Sequence, residues 1–93
     1  MENLSFDYIV VSPHAVEEEI FHKKANEILY IIEGSLEALL DGQTHSLKAG
    51  DYVVLPKETR HKFINRSDRD AKLISFCAPG FSDSDVFQVS AVP

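Results

Sequence analysis

From Ile28 to Ile74 the apolar residues come in runs of four to seven, rich in Ile, Val, Leu, Tyr and Phe. Short turn-forming segments interrupt them every eight to twelve residues. Runs of that length, bounded that way, form strands and not helices. Ile28-Leu29-Tyr30-Ile31-Ile32 stops at Glu33-Gly34-Ser35. Leu36 to Leu40 stops at Asp41-Gly42, a favoured pair for a two-residue type I′ hairpin. Thr44 to Leu47 leads to Ala49-Gly50-Asp51. Tyr52-Val53-Val54-Leu55 then ends at Pro56, which has no N–H to give a ladder. Arg60 to Asn65 and Ala71 to Ala78 predict two more strands, divided by the polar Arg66 to Asp70, and Phe6 to Val11 predicts another. Ala15 to Phe21 holds helix-forming residues but is short and uncapped.

Seven or eight short strands without repeats leave a sandwich or a barrel, with closure favoured because it removes edges. The expectation is one all-β domain over 1–93. Its core covers about 18–79, with an N-terminal strand and arm over 1–17 and a tail over 80–93. The tail, from Phe81 onward, has no clear period. It packs on the barrel, pairs with a second subunit or frays.

Composition narrows the partners. A net charge of −6, with nine scattered Lys and Arg, offers no basic face for phosphates, which excludes nucleic acid and anionic membranes. No apolar run approaches the roughly 20 residues that span a bilayer, and Met1-Glu2-Asn3 does not open like a signal peptide, so the expected location is cytoplasmic. Cys77, the single cysteine, excludes an internal disulfide and a cysteine-built zinc site, and reads as a small buried hydrophobe.

His22, Glu27 and His61 are the residues with chemistry to offer. Neutral imidazole and carboxylate suit Fe, Mn, Ni, Zn or Cu, and two His with one carboxylate leave positions open. Four His and fifteen acids in 93 residues produce such triples by chance, so the spacing of the turns around them has to decide.

In two blocks over residues 20 to 65 the sequence resembles the cupin family. That family's first block runs Gly, five residues, His-x-His, three or four residues, Glu, six residues, Gly. Here stand Ile20-Phe21-His22, four residues, Glu27, six residues, Gly34. Its second block runs Gly, five residues, Pro-x-Gly, two residues, His, three residues, Asn. Here stand Gly50, five residues, Pro56-Lys57-Glu58, two residues, His61, three residues, Asn65. The resemblance implies a small cupin-type barrel, a double-stranded β-helix or jelly roll. It also implies a centre in which His22, Glu27 and His61 hold one divalent transition metal (Fe, Mn, Ni or Zn) per chain. Cupins include dioxygenases, isomerases and non-catalytic sensor domains, so the fold alone does not select a reaction.

Three departures bear on that reading. The first block's initial glycine is absent. Ile20 replaces the first histidine, and by strand alternation it still points inward beside the metal. Glu58 replaces the second block's glycine, so the turn must be built without a ready left-handed position. Ile20, Tyr30, Tyr52, Phe63 and Phe76 are expected to line the cavity and His14 and His45 to lie on the surface; Lys24 and Arg60 either rim the mouth or are solvated, the commoner case for flanking charge. Two functions follow: a metal-dependent enzyme acting on a small molecule, or a non-catalytic small-molecule binder. Resemblance and small size together imply a homodimer.

Overall fold

The computed structural model describes residues 3–89. Its strands are β1 (Ser5–Val11), β2 (Ile20–Phe21), β3 (Asn26–Glu33), β4 (Ser35–Leu40), β5 (Gln43–Lys48), β6 (Tyr52–Leu55), β7 (His61–Ile64), β8 (Ala71–Ala78) and β9 (Phe87–Gln88). A 3₁₀ turn covers Asp83–Asp85. The strands form a four-stranded sheet, β1-β8-β3-β6, and a five-stranded sheet, β5-β4-β7-β2-β9. Leu29, Ile31 and Leu73 from the first sheet pack with Leu36, Ala38, Leu47 and Phe63 from the second.

This is the expected all-β jelly roll. Closure is corrected: among the described residues the sheets share no ladder, and β1, β6, β5 and β9 remain edges. No helix among those residues is long and apolar enough to cross a membrane.

Turn chemistry explains much of the path. Leu40 pairs with Gln43 across Asp41 (φ 46°) and Gly42 (φ 84°), the two positive angles a type I′ turn demands. Gly34 sits between β3 and β4 at φ 83°, where an added Cβ would lie 2.6 Å from the Asp70 carbonyl oxygen, so only glycine fits. Asn65 is fully buried. It donates to the carbonyls of Val11 and Arg69 and accepts from the backbone and hydroxyl of Ser67, tying the loop before β8 to the end of β1.

The segment with helix-forming residues is extended. Val16 bridges Ile64, the Glu17 N–H donates to the Phe63 carbonyl, and Ile20 pairs with His61, so sheet pairing overrides local propensity. Beyond Pro79 the chain packs back on the fold. β9 pairs with β2, and Phe87 stacks on Phe21 at 5.5 Å. Residues 90–93 of the expected tail lie outside the described residues.

Candidate metal centre

Three strand ends converge inside the jelly roll. His22 follows directly on β2, Glu27 is the second residue of β3, and His61 opens β7. All three are buried. One ligand atom from each lies within 4.8 Å of the other two.

Hydrogen bonds on the far side of each ring fix how the imidazoles point. His22 Nδ1 is 2.8 Å from the Asp85 carbonyl oxygen, and His61 Nδ1 is 2.9 Å from the Thr59 carbonyl oxygen. A carbonyl only accepts, so each ring carries its proton on Nδ1 and turns the Nε2 lone pair inward. Glu27 Oε2 accepts from the Ser75 hydroxyl at 2.5 Å. Glu27 Oε1 is buried with no hydrogen-bond partner, 3.5 Å from His22 Nε2 and 3.6 Å from His61 Nε2.

Two lone pairs and a carboxylate oxygen facing one another repel unless a cation or a proton sits among them, and a buried acceptor left unpaired costs about 1–3 kcal/mol. These residues therefore fit a divalent metal: the donor set is right and the inward atoms are the ones left free. The same arrangement favours a proton on His22. The contact with Glu27 raises the His22 pKa above its usual value, against the opposing effect of burial. Burial pushes the Glu27 carboxyl up, but the nearby His22, the Ser75 hydroxyl bond and the His61 imidazole outweigh it and hold it low.

Asp85, 6 % exposed, builds the support under His22. Its carboxylate accepts from the backbone N–H groups of Lys23, Lys24 and Ala25 at 2.9 to 3.2 Å, while its carbonyl takes His22 Nδ1–H. Burial pushes this carboxyl up, and the three N–H bonds more than reverse that. On the opposite side, the Glu58 N–H donates to the His22 carbonyl, which couples the two ligand-bearing turns. Glu58 takes the left-handed conformation (φ 71°) that the missing glycine would have adopted freely.

A cavity of about 500 Å³ opens beside Glu27, lined on its apolar side by Ile9, Ile20, Leu29, Phe63, Leu73 and Phe81. Asp7, Glu17, Glu18 and Lys62 supply charge, and Ser75 a hydroxyl. Ile20 and Phe63 are among these lining residues.

Tyr30, Tyr52 and Phe76 are corrections: none lines the cavity. Glu27, Leu29 and Ile31 face inward on β3, so Tyr30 faces out, and Tyr52 and Phe76 share its outer face. Tyr30 is 42 % and Tyr52 65 % exposed. Lys24 and Arg60 are not among the lining residues, which fits solvated flanking charge. His14 and His45 are exposed, as expected, and Cys77 is buried, its thiol pushed up by that burial.

The residues that sequence reasoning missed are Ser75, Asp85, Phe81 and the charged lining groups. For Ser75 there was a signal, a polar residue in phase with Leu73 and Cys77 on a strand of buried apolar positions. Asp85 lies in an aperiodic polar segment and gave none.

Comparison with known proteins agrees with this architecture. Residues 7–77 match the family model described as a cupin domain. Among curated proteins, a polyketide synthase CurC of Streptomyces cyaneus is 33 % identical over 70 residues, which are 75 % of this chain and 46 % of that protein. Quercetin 2,3-dioxygenase of Bacillus subtilis is 36 % identical over 59 residues, 63 % of this chain and 17 % of that enzyme. The chain spans about half the length, or less, of these relatives. Among solved structures, a Streptomyces nucleoside dehydratase with uridine superposes with a TM-score of 0.85 at 18 % identity, covering 100 % of this chain and 73 % of that one. A sugar phosphate isomerase of Silicibacter pomeroyi gives 0.77 at 20 % identity, covering 96 % and 68 %. Those two likenesses are of fold. With the family model matched over most of its length and the jelly roll in place around two family-like turns, this chain belongs to the cupin family.

Proposed function

We propose that this cupin binds one divalent transition metal per chain (Fe, Mn, Ni or Zn) through His22, Glu27 and His61 and acts with it on a small organic molecule held in the cavity, in a dioxygenase or isomerase reaction. The observation that carries this is the unpartnered Glu27 Oε1, flanked by two Nε2 atoms whose rings are already anchored through Nδ1. A bound metal would supply Lewis acidity or carry dioxygen.

The chain's own groups do the rest. Ser75 holds the carboxylate through Oε2, and the carbonyls of Asp85 and Thr59 hold the rings. Ile20, Leu29, Phe63 and Leu73 keep water from the inner wall, where fixed charges act more strongly. Names among the relatives, a dioxygenase and an isomerase, are compatible with that chemistry but belong to those proteins.

Elemental analysis and calorimetric titration test the reading. The expected result is about one metal per chain and its loss in His61→Ala. Wild-type protein that neither carries nor takes up metal overturns it.

Ile20 favours one alternative. It stands in the cavity, paired with His61, where the family's first block has a further histidine. On this second reading the chain is a non-catalytic binder. A ligand that raises the melting temperature equally with and without chelator selects the binder, and chelator-sensitive stabilisation selects the metal protein.

A further inference from the structure

The cavity beside Glu27 carries two carboxylates that the metal centre does not use. On β1, Asp7 lies opposite Ser75, which in turn lies opposite Leu29 on β3, so the three side chains share the inner face. Residues directly opposite one another stand about 5 Å apart at Cβ, which brings Asp7 beside the serine that holds Glu27. Glu17 comes from the other sheet. Val16 bridges Ile64 and the Glu17 N–H donates to the Phe63 carbonyl, so Glu17 stands opposite Phe63 and points inward with it. Both acids line the cavity. Both are exposed while Glu27 is 8 % exposed, which puts them at the open end and the metal ligands at the closed one.

No cation on the wall answers them among the described residues. Lys62 borders the cavity, but it alternates with the inward His61 and Phe63 on β7 and pairs with Leu39, so its side chain leaves from the outer face. The remaining acid of the lining, Glu18, already accepts from the Gln88 amide at 2.6 Å. Burial and the nearby Glu27 carboxylate push the Glu17 carboxyl up, and a paired cation offsets both effects. Between the acids and the metal ligands the wall is apolar, from Ile9, Ile20 and Leu73. Independently of the acids, the floor carries the buried and unpartnered Glu27 Oε1, which faces the same space of about 500 Å³.

On the reading that a small molecule occupies this cavity beside the metal centre, we infer that its ligand is a small organic cation, a protonated amine on an apolar body, selected by Asp7 and Glu17. The ammonium group pairs with the two carboxylates at the mouth, and the body covers the apolar wall. The end remote from the amine then reaches the metal ligands. A carboxylate or phosphate on the same body meets like charge at the mouth, so the acids reject anions as well as attract cations.

Three probes of one shape test the inference: phenethylamine, phenethyl alcohol and phenylacetate, titrated calorimetrically at neutral pH into the purified chain, with and without chelator. The amine is expected to bind at least about tenfold tighter than phenylacetate, with the alcohol between them, in both conditions. Asp7→Asn and Glu17→Gln should each narrow that ratio, and the double variant should bring it within about twofold. Glu33→Gln, which removes a charge paired with Lys72 on the outer side, should leave it unchanged. Should the double variant fail to fold by circular dichroism, the two single variants carry the reading. Phenylacetate binding as tightly as the amine overturns the inference, and so does a preference that survives in the acid-free variants. An order seen only without chelator is coordination to metal and also overturns it, as does the absence of binding by all three probes up to about 10 mM. Elemental analysis of the same sample separates the two readings. A metal-free chain that prefers the amine keeps this inference and sinks the metal centre, whereas a metal-loaded chain without the preference does the reverse.

Discussion

The two faces of the β1-β8-β3-β6 sheet depart from the usual arrangement, because both are largely apolar. In most antiparallel sheets one face is apolar and buried and the other polar and wet. Here the inner face carries Asp7, Glu27 and Ser75 among Leu29, Ile31 and Leu73, while the outer face carries Tyr8, Tyr30, Tyr52, Phe6 and Phe76. Hydrophobicity alone therefore cannot say which way a residue points on this sheet. Strand parity can, once one residue is fixed. The difference also separates two environments along the same strands: alternate residues of β3 face the interior and its cavity, and the outer surface of the sheet.

Removing the one buried charge of β3 breaks the contrast most sharply. Glu27→Leu takes away the oxygen between the two Nε2 atoms and leaves two neutral imidazoles, which carry no uncompensated charge. Metal affinity by titration calorimetry is expected to fall at least about a thousandfold, or ~4 kcal/mol. In the same variant under chelator the melting temperature is expected to fall by a few degrees, because the buried Ser75 hydroxyl loses its acceptor and the imidazoles lose the carboxylate that faces them. A variant that keeps its metal would move the centre elsewhere in the cavity.

The next comparison sets an inner residue against an outer one. Leu73 is 1 % exposed, between the core and the cavity, and Leu73→Ala is expected to cost about 2–5 kcal/mol in urea unfolding. Tyr52→Ala on the outer face is expected to change the stability of the isolated chain by no more than about 0.5 kcal/mol. Equal costs at the two positions would mean that the outer face packs on this chain itself.

This contrast also explains what the sequence could show. The strands were legible because their turns are chemically specific: Asp41-Gly42 for the hairpin, Gly34 at a close approach, Pro56 at a strand end. His22, Glu27 and His61 stood out because turn spacing fixes where they leave their strands. The wall of the cavity was harder. In Ile28 to Ile32 every residue is apolar, so the run carries no alternation from which to read a face, and Tyr30 could be assigned inward as readily as Leu29. Counting by two from Glu27 resolves it, because a carboxylate aimed at the histidines puts residues 29 and 31 inside. Pairing of Ala15 to Phe21 with β7 and β9 depends on contacts distant in sequence, which local composition does not encode.

Asp85 is the part of the inner site that the sequence concealed, and it gives the smallest of the expected effects. It comes from the tail, not from the sheet, yet it fixes the loop between His22 and Glu27 through three backbone N–H groups and orients His22 through its own carbonyl. Asp85→Asn keeps an acceptor for Lys23 and Lys24 but turns an NH₂ toward the Ala25 N–H, so two donors meet. The expected stability loss is about 1–3 kcal/mol. The lowered carboxyl pKa sets its pH window: the contribution is present above the ordinary carboxyl value of 3.8 and disappears as the pH falls through the lower folded value, so wild type and variant should converge in acid. If Asp85 also positions His22, metal affinity measured well below the melting temperature should fall about 10–100-fold, as losses of ligand-orienting partners do. Unchanged affinity in a destabilised but folded Asp85→Asn would reduce the tail to packing and leave the aim of His22 to the bond between its carbonyl and Glu58.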